Sequence, residues 1–359
     1  MPRLKRATLT DVAKRAGVSV TTASYILNGR TTQMRISDET ARKVRAAMAD
    51  LDYRPNWSAR NLRRSSTQTI GLVSDMVASG AYASQLLSGA SDAARAYQHL
   101  LVIGETLGDA EVEDLLIREL GDRQVDGIIY ATLAASHVRL PERLRDRRAV
   151  LLNCRDVGSE VSCVLPDDEG GGRAAAQHLL AAGIGRSIHV VGEDPTPEAT
   201  AGPDRLRGIV AVLDEAGVPL GGVVPCEWDV RAARDAVRTW LATGVRPQAL
   251  ICLNDRVAMG TYQALDDFGL RIPTDVSVIS FDGSDLASWL RPRLTSLALP
   301  FREMGTRAVE LLMDPASDPA TAGTLVTRLP LVLEPGGSVV GDPEIPSEFP
   351  SEIPSEPAP

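Results

Sequence analysis

Four polar residues stand directly behind apolar runs: Asp75 after TIGLVS, Asn153 in AVLLNC, Asn254 in ALICLND and Asp282 closing VSVISFD. Side chains at such positions can hydrogen-bond a polar ligand, because open α/β sheets bind ligands beyond the carboxyl ends of their strands. Catalysis is less well served. His99, His137, His178 and His189 are scattered, no nucleophile elbow occurs, and the strand-end acids lack a recognisable general-acid partner. Cys154, Cys163, Cys226 and Cys252 show neither CxxC nor His-paired spacing, so they read as buried free thiols rather than metal ligands. The run Asp167 to Gly172 (DDEGGG) lacks the lysine and spacing of a phosphate loop and reads as a βα turn. We therefore expect a binding protein with no enzymatic activity, no metal and no cofactor.

The elements that must position these residues follow from texture. From Thr69 onward, apolar runs (TIGLVSDM, HLLVIGE, DGIIYAT, AVLLNC, IHVVGED, GVVPCEW, ALICLND, VSVISFD) alternate with helical stretches such as 83–97, 112–120 and 205–216. Fully apolar strands in repeated βα units imply parallel sheets covered by helices on both faces. At 359 residues the chain suits two or three domains.

Charge divides the chain. Residues 1–66 hold 14 Lys+Arg against 5 Asp+Glu, leaving 24 against 42 in the remainder, so a +9 head sits on a −18 body. A small basic module on an acidic body is the footprint of nucleic-acid binding, since cationic side chains release counterions from phosphates. Within the head, TDVAKRAGVSVTTASYILN carries two short helical patterns separated by Gly17-Val18-Ser19. Thr10 is the expected cap of the first helix, Gly17 its left-handed close and Ser19 the cap of the second. Val12, Ala13, Ala16, Val18, Ala23, Ile26 and Leu27 should face inward under a third helix starting near Ser37. This is a helix-turn-helix head. Pro55 interrupts the following helix, and a short segment capped by Asn56 (NWSARNL) is too brief to be stable alone. The tail from Asp342, a degenerate Pro-Ser-Glu repeat, has no core-forming pattern and reads as disordered.

Several separate motifs resemble the lactose and galactose repressor family: ATLTDVAKRAGVSVTTASYILNGR, LDYRPNWSARNLRRSSTQTIGLV, LLAAGIGRSIHVVGE, DRLRGI, LICLNDRVAMG and IPTDVSVISFDGSDLASWLRPRLTSLALP, spanning about 7 to 340. The resemblance implies a helix-turn-helix head over 1–55, a hinge helix and linker over 56–67, and an effector-binding core over 68–341. That core would comprise two periplasmic-binding-protein-like α/β subdomains, one of about 68–164 plus 296–322, the other of about 165–295 plus 323–341. The remaining 342–359 form the tail.

By the same resemblance, Val20, Thr21 and Tyr25 enter the major groove, where methyl and hydroxyl groups read base edges. Ser19, Thr22, Ser24 and Asn28 contact phosphates. Tyr25 stands where the family often has Arg, which implies a different base preference, and packing on the helix surface is its alternative role. Asn56 belongs to the hinge, and Leu62 matches a leucine wedged into a minor-groove step; a contact with the core's underside is the alternative for Leu62. For the effector, Asp282 matches a carboxylate accepting ligand hydroxyls, Arg205 a clamping guanidinium, Asn254 a polar contact and Trp228 an aromatic wall, with Asn153 and Asp75 facing the same cleft. Together these suit a polyol. Structural alternatives stand beside each: helix caps for Asn254 and Asp282, an ion pair for Arg205, a core position for Trp228. Two departures are Gly283, where a second acidic or amide residue is common, and Ser79-Gly80-Ala81, where relatives carry an aromatic turn.

The resulting expectation is a sequence-specific transcription regulator, a repressor controlled by a sugar-like effector, working as a homodimer on double-stranded operator DNA. The absence of an apolar leader pattern or membrane span makes it cytoplasmic. A regulator using a corepressor such as a purine, or a ligand-independent DNA-binding protein, is the alternative. A transport-type binding protein shares the core fold but has no use for a basic head.

Overall fold

The computed structural model describes residues 7–53, 66–77, 83–158, 160–192, 198–314 and 324–343. It divides into two compact units, Met1–Thr67 and Gln68–Pro359.

In the first unit, α1 (Leu9–Ala16), α2 (Val20–Leu27) and α3 (Asp38–Asp50) enclose a small core. Val12, Ala13, Ala23, Ile26, Ala41, Val44 and Ala47 are buried, with Ala16 and Val18 packed against them. Leu27, expected inside, is half-buried. Gly17 closes α1 at φ 70°, and Ser19 and Ser37 cap α2 and α3 by accepting from Thr22 N and Thr40 N. The cap of α1 is Thr8 and not Thr10. Thr8 accepts from Asp11 N, while the Asp11 carboxylate accepts from Thr8 N at 2.8 Å, a reciprocal box that Thr10 could not form from inside the helix.

The second unit begins with β1 (Thr69–Ser74), α4 (Ala83–Ala96), β2 (Leu100–Glu105), α5 (Ala110–Asp122), β3 (Gly127–His137), α6 (Glu142–Arg145), β4 (Ala149–Arg155) and β5 (Cys163–Pro166). It continues with α7 (Asp168–Ala181), β6 (Ile188–Val191), α8 (Ala201–Glu215), β7 (Leu220–Val224), α9 (Val230–Leu241), β8 (Ala249–Cys252), α10 (Asp255–Asp267), β9 (Ser277–Asp282) and α11 (Asp285–Trp289). β10 (Thr295–Ala298), α12 (Phe301–Met313), β11 (Val326–Leu329) and β12 (Val332–Glu334) complete it. All eight apolar runs form strands.

Two sheets result, in the orders β11-β5-β4-β3-β1-β2 and β12-β10-β9-β8-β6-β7. The same doubly wound order occurs twice, so the unit is a pair of α/β subdomains, parallel throughout except that β12 runs antiparallel to β10. The chain crosses between them after Pro166, Ala298 and Leu329, each somewhat downstream of the sequence-based boundary, because β5 and β11 pair in the first sheet and β10 in the second. These short strands carry no distinct periodicity of their own; their pairing defines them.

Helix pairs cover both sheets and touch at glycines. A Cβ on Gly172 in α7 would stand 2.0 Å from the carbonyl oxygen of Arg205, and one on Gly208 in α8 would stand 2.0 Å from that of Glu169. The DDEGGG run is therefore a βα turn feeding a close helix crossing, with Asp167 capping α7 through Gly170 N at 3.1 Å. Of the four free cysteines, Cys154, Cys163 and Cys252 are buried and Cys226 is half-buried. Burial pushes Cys154 and Cys252 up to about 12, which makes them inert thiols.

Candidate effector site and DNA-reading surface

The order 2-1-3 places a switch point between β1 and β3 in one sheet and between β6 and β8 in the other, where crevices open at the carboxyl ends of strands. Of the expected effector residues, Asp75, Asn153, Asn254 and Asp282 fall at the carboxyl ends of strands, whereas Arg205 lies on α8 and Trp228 beyond β7. They form two groups.

The first group belongs to the first subdomain. Asp75, just beyond β1, accepts a hydrogen bond from Leu133 N at 2.9 Å across the switch point and another from Met76 N. Burial pushes its carboxyl above the usual range against the pull of these donors. Asn153 is 3% exposed and left-handed at φ 60°, and its Nδ2 donates to the carbonyls of Thr132 at 3.1 Å and Leu133 at 2.9 Å. Both side chains thus hold the irregular stretch of β3 between Ala131 and Ser136. An unmade hydrogen bond at a buried backbone group is costly, so this looping segment needs such partners.

The second group is centred on Arg205, which α8 carries one turn from its start and which is 2% exposed. Its Nε donates to the Asp168 carboxylate at 2.7 Å and its Nη1 to the carbonyl of Leu253. The guanidinium carbon lies 4.6 Å from the centroid of the Phe281 ring and 5.5 Å from that of Trp228. Arg205 is therefore locked in place by an acid, a strand end and two aromatic faces. Burial pushes the Asp168 carboxyl up while Arg205 pulls it down. Trp228 offers one face to this cation, packs against two core clusters, and keeps a buried Nε1 that finds no acceptor among the described residues. Asn254 caps α10, its Oδ1 accepting from Val257 N at 2.8 Å. Asp282 is 8% exposed at φ 114°, a backbone conformation that non-glycine residues rarely hold and that clusters at functional sites.

Three structural alternatives hold: Arg205 is ion-paired, Asn254 is a cap and Trp228 is partly core. The groups meet through backbone. His137 N donates to the Glu198 carbonyl at 2.8 Å and Thr200 N to that of Ala135 at 2.8 Å, pairing the end of β3 with the segment that opens α8. Gly283 also has a local reason: at φ 64° a Cβ there would lie 2.4 Å from that of Ala298, which leaves no room for a side chain. Ser79-Gly80-Ala81 lie outside the described residues.

Sequence reasoning missed Asp168, Phe281 and Asp255. Asp168 lies in the DDEGGG run, which reads only as a βα turn.

On the head, α2 presents Val20, 44% exposed, with Thr21 exposed beside it and Tyr25 half-buried a turn later. Ser19 and Thr22 hydroxyls lie 2.8 Å apart in the cap, and Asn28 Nδ2 donates to the Ser24 carbonyl at 2.8 Å. A capped helix N-terminus beside uncommitted methyl and hydroxyl groups is suited to a major groove. Asn56 and Leu62 lie outside the described residues. Among the described residues, no helix is long and apolar enough to cross a membrane, and no group of three His, Cys, Asp or Glu is placed to hold a metal ion.

The family model for bacterial regulatory proteins of the lacI family matches residues 8–56, and that for a periplasmic binding protein-like domain matches 176–339. The ribose operon repressor of Escherichia coli (strain K12) is 30% identical over 340 residues, covering 92% of this chain and 100% of its own. The HTH-type transcriptional repressor PurR of Vibrio vulnificus (strain CMCP6) is 30% identical over 320 residues, covering 87% of this chain and 92% of its own. Among solved structures, the lac repressor dimer bound to operator and the anti-inducer ONPF superimposes with TM-score 0.76 at 25% identity, over 93% of this chain and 100% of that one. The CelR–cellobiose complex does so with TM-score 0.64 at 26% identity, over the same shares. With a relative of this identity matched along its whole length, the chain belongs to the lacI family of bacterial regulatory proteins.

Proposed function

We propose that this protein is a cytoplasmic, non-enzymatic repressor that binds a pseudo-palindromic operator as a homodimer and changes its operator affinity when a small sugar-like effector enters the core. The observation that carries the effector reading is the locked Arg205, stacked on Trp228 and Phe281 and bonded to Asp168 and Leu253, with the strained Asp282 following Phe281 in the chain. Its outer nitrogen Nη2, the indole N–H of Trp228, which finds no acceptor among the described residues, and the Nδ2 of Asn254 are donors, and the Asp282 carboxylate is an acceptor. Hydroxyls, which both donate and accept, match that mixture better than an anion or an apolar ligand would. Asp75 and Asn153 act on the other side of the cleft by shaping the β3 loop.

On DNA, Val20, Thr21 and Tyr25 read base edges while Ser19, Thr22, Ser24 and Asn28 face phosphates; Asn56 and Leu62 extend the contact through the hinge. Dimerisation is supported by the edge strand β2, where Leu100, Val102 and Ile103 are 64%, 38% and 39% exposed. An apolar edge of this kind invites a second chain.

The test is a thermal-shift screen of pentoses, hexoses, cellobiose and free purine bases, followed by operator binding with each compound that raises the melting temperature. A sugar that stabilises the protein and alters operator affinity supports the proposal. A purine acting alone would replace the effector assignment, and operator binding that no stabilising compound alters would refute ligand control.

A further inference from the structure

Asp255, the first residue of α10, is 0% exposed, yet no cation faces its carboxylate in the contacts that hold it. Instead it collects hydroxyl and amide donors from two strands and a turn. Oδ1 accepts from the Ser280 hydroxyl and from the Ser296 hydroxyl at 2.9 Å. Oδ2 accepts from Ser284 N at 2.8 Å and from the Ser284 hydroxyl at 2.7 Å. Ser296, having donated to Asp255, accepts in turn from Gly283 N at 3.0 Å.

These bonds share one geometric feature: they surround Asp282. Ser280 lies two residues before it on β9, Ser284 two residues after it, and Gly283 is its immediate neighbour. Asp282 and Gly283 both have positive φ, 114° and 64°. A non-glycine residue holds such a conformation only when its surroundings over-determine it. The carbonyl of Asp282 adds one bond of its own, accepting from Leu299 N at 3.1 Å.

The geometry points to Asp255 as a positioning residue that fixes the Asp282 carboxylate for effector recognition by clamping the turn on both sides of it. This inference rests on the reading of Asp282 as an effector contact. The Asp255 carboxylate is committed to these serine and backbone donors. It sets where Asp282 stands, and through the Asn254 cap on the same helix start it couples β8, β9 and β10 at one end of the cleft. Removing an acceptor at a buried polar cluster leaves its donors unsatisfied, so the turn should relax even where the surrounding sheet stays folded.

The experiment uses the full chain with Asp255→Asn, Ser284→Ala and Ser296→Ala, each made separately. Hydrogen exchange read by mass spectrometry reports the turn without any ligand. Asp255→Asn should raise exchange in the peptide covering 282–286 by about tenfold, with β6 and β8 unchanged; the two serine variants should raise it less. Unchanged exchange at the turn in all three variants overturns the inference, as does an increase spread evenly over the second sheet. If Asp255→Asn does not fold, the serine variants carry the same test. The second arm titrates operator complexes of parent and variants with D-ribose and with cellobiose. Roughly a tenfold higher concentration for half-effect, with operator affinity in the absence of sugar unaltered, is the expected split. A variant with a loosened turn and an unaltered half-effect concentration overturns the role in recognition. If neither sugar alters the parent's operator binding, the sugar reading of the site fails on its own, while exchange still decides whether Asp255 holds Asp282.

Discussion

Removing the acid beneath Arg205 is the sharpest perturbation of the core. In Asp168→Ala, the guanidinium would keep its bond to the Leu253 carbonyl and its two aromatic faces but lose its Asp168 counter-ion, at a site where the partners are 2% and 3% exposed. Breaking a buried pair from one side costs about 3–5 kcal/mol, because an uncompensated charge is left out of water. A surface pair of equal length would cost about 1 kcal/mol or less. With roughly 2 °C of melting temperature per kcal/mol in a unit of this size, the variant should melt about 6–10 °C lower. The double variant Asp168→Leu/Arg205→Met should recover most of that loss, since apolar replacement of a whole buried pair is often neutral. It should still lack any effector response. Differential scanning calorimetry of parent, single and double variants checks the stability, and operator titration checks the response. A single-variant shift below about 2 °C would refute the claim that this pair is a buried structural lock.

Three further outcomes follow from local geometry. Gly208→Ala should destabilise by about 1–3 kcal/mol or more in urea unfolding, because its Cβ would meet the Glu169 carbonyl at 2.0 Å, whereas Gly185→Ala, with nothing within 4 Å, should be near neutral. Burial holds the His189 imidazole below its ordinary range, so the folded state resists protonation there. Stability from this group is complete above about pH 6.5 and falls as the pH drops from there through the folded-state value, a slope that His189→Gln should reduce in urea midpoints taken between pH 7.5 and 5. Operator affinity should weaken steeply with salt, and neutralising Lys14 or Arg15 should lower the slope of log affinity against log salt only if that side chain meets a phosphate.

How far the sequence could be read depended on whether a signal was local. Apolar runs such as ALIC and VSVIS declare buried strands by composition alone, and Ser19 and Gly17 bracket α2 and α1 by cap chemistry. The capping box of α1 was equally local, since Thr8-x-x-Asp11 has the required spacing, yet Thr10 offered a competing hydroxyl closer to the apolar pattern. Strands β5, β10, β11 and β12 were not legible, because three or four residues acquire strand identity from partners far away in the chain. At the site, the positions of Asp75, Asn153, Asn254 and Asp282 behind strands were legible, but their bonds were not. Whether Asn153 offers its amide to a ligand or to Thr132 and Leu133 depends on a loop path that no pattern encodes. Asp255 shows the same limit: beside a helix cap it reads as a favourable first-turn acid, and only the approach of Ser280, Ser284 and Ser296 turns it into a hub.

Selecting bound duplexes from a random pool, with the full chain and with residues 68–359 alone, decides whether the basic head reads a specific operator on behalf of an acidic ligand-binding core. The full chain should enrich one pseudo-palindromic site, with half-sites about one helical turn apart, and the core alone should enrich none. Failure of the full chain to enrich any sequence, or enrichment of the same site by the core without its head, would contradict the account.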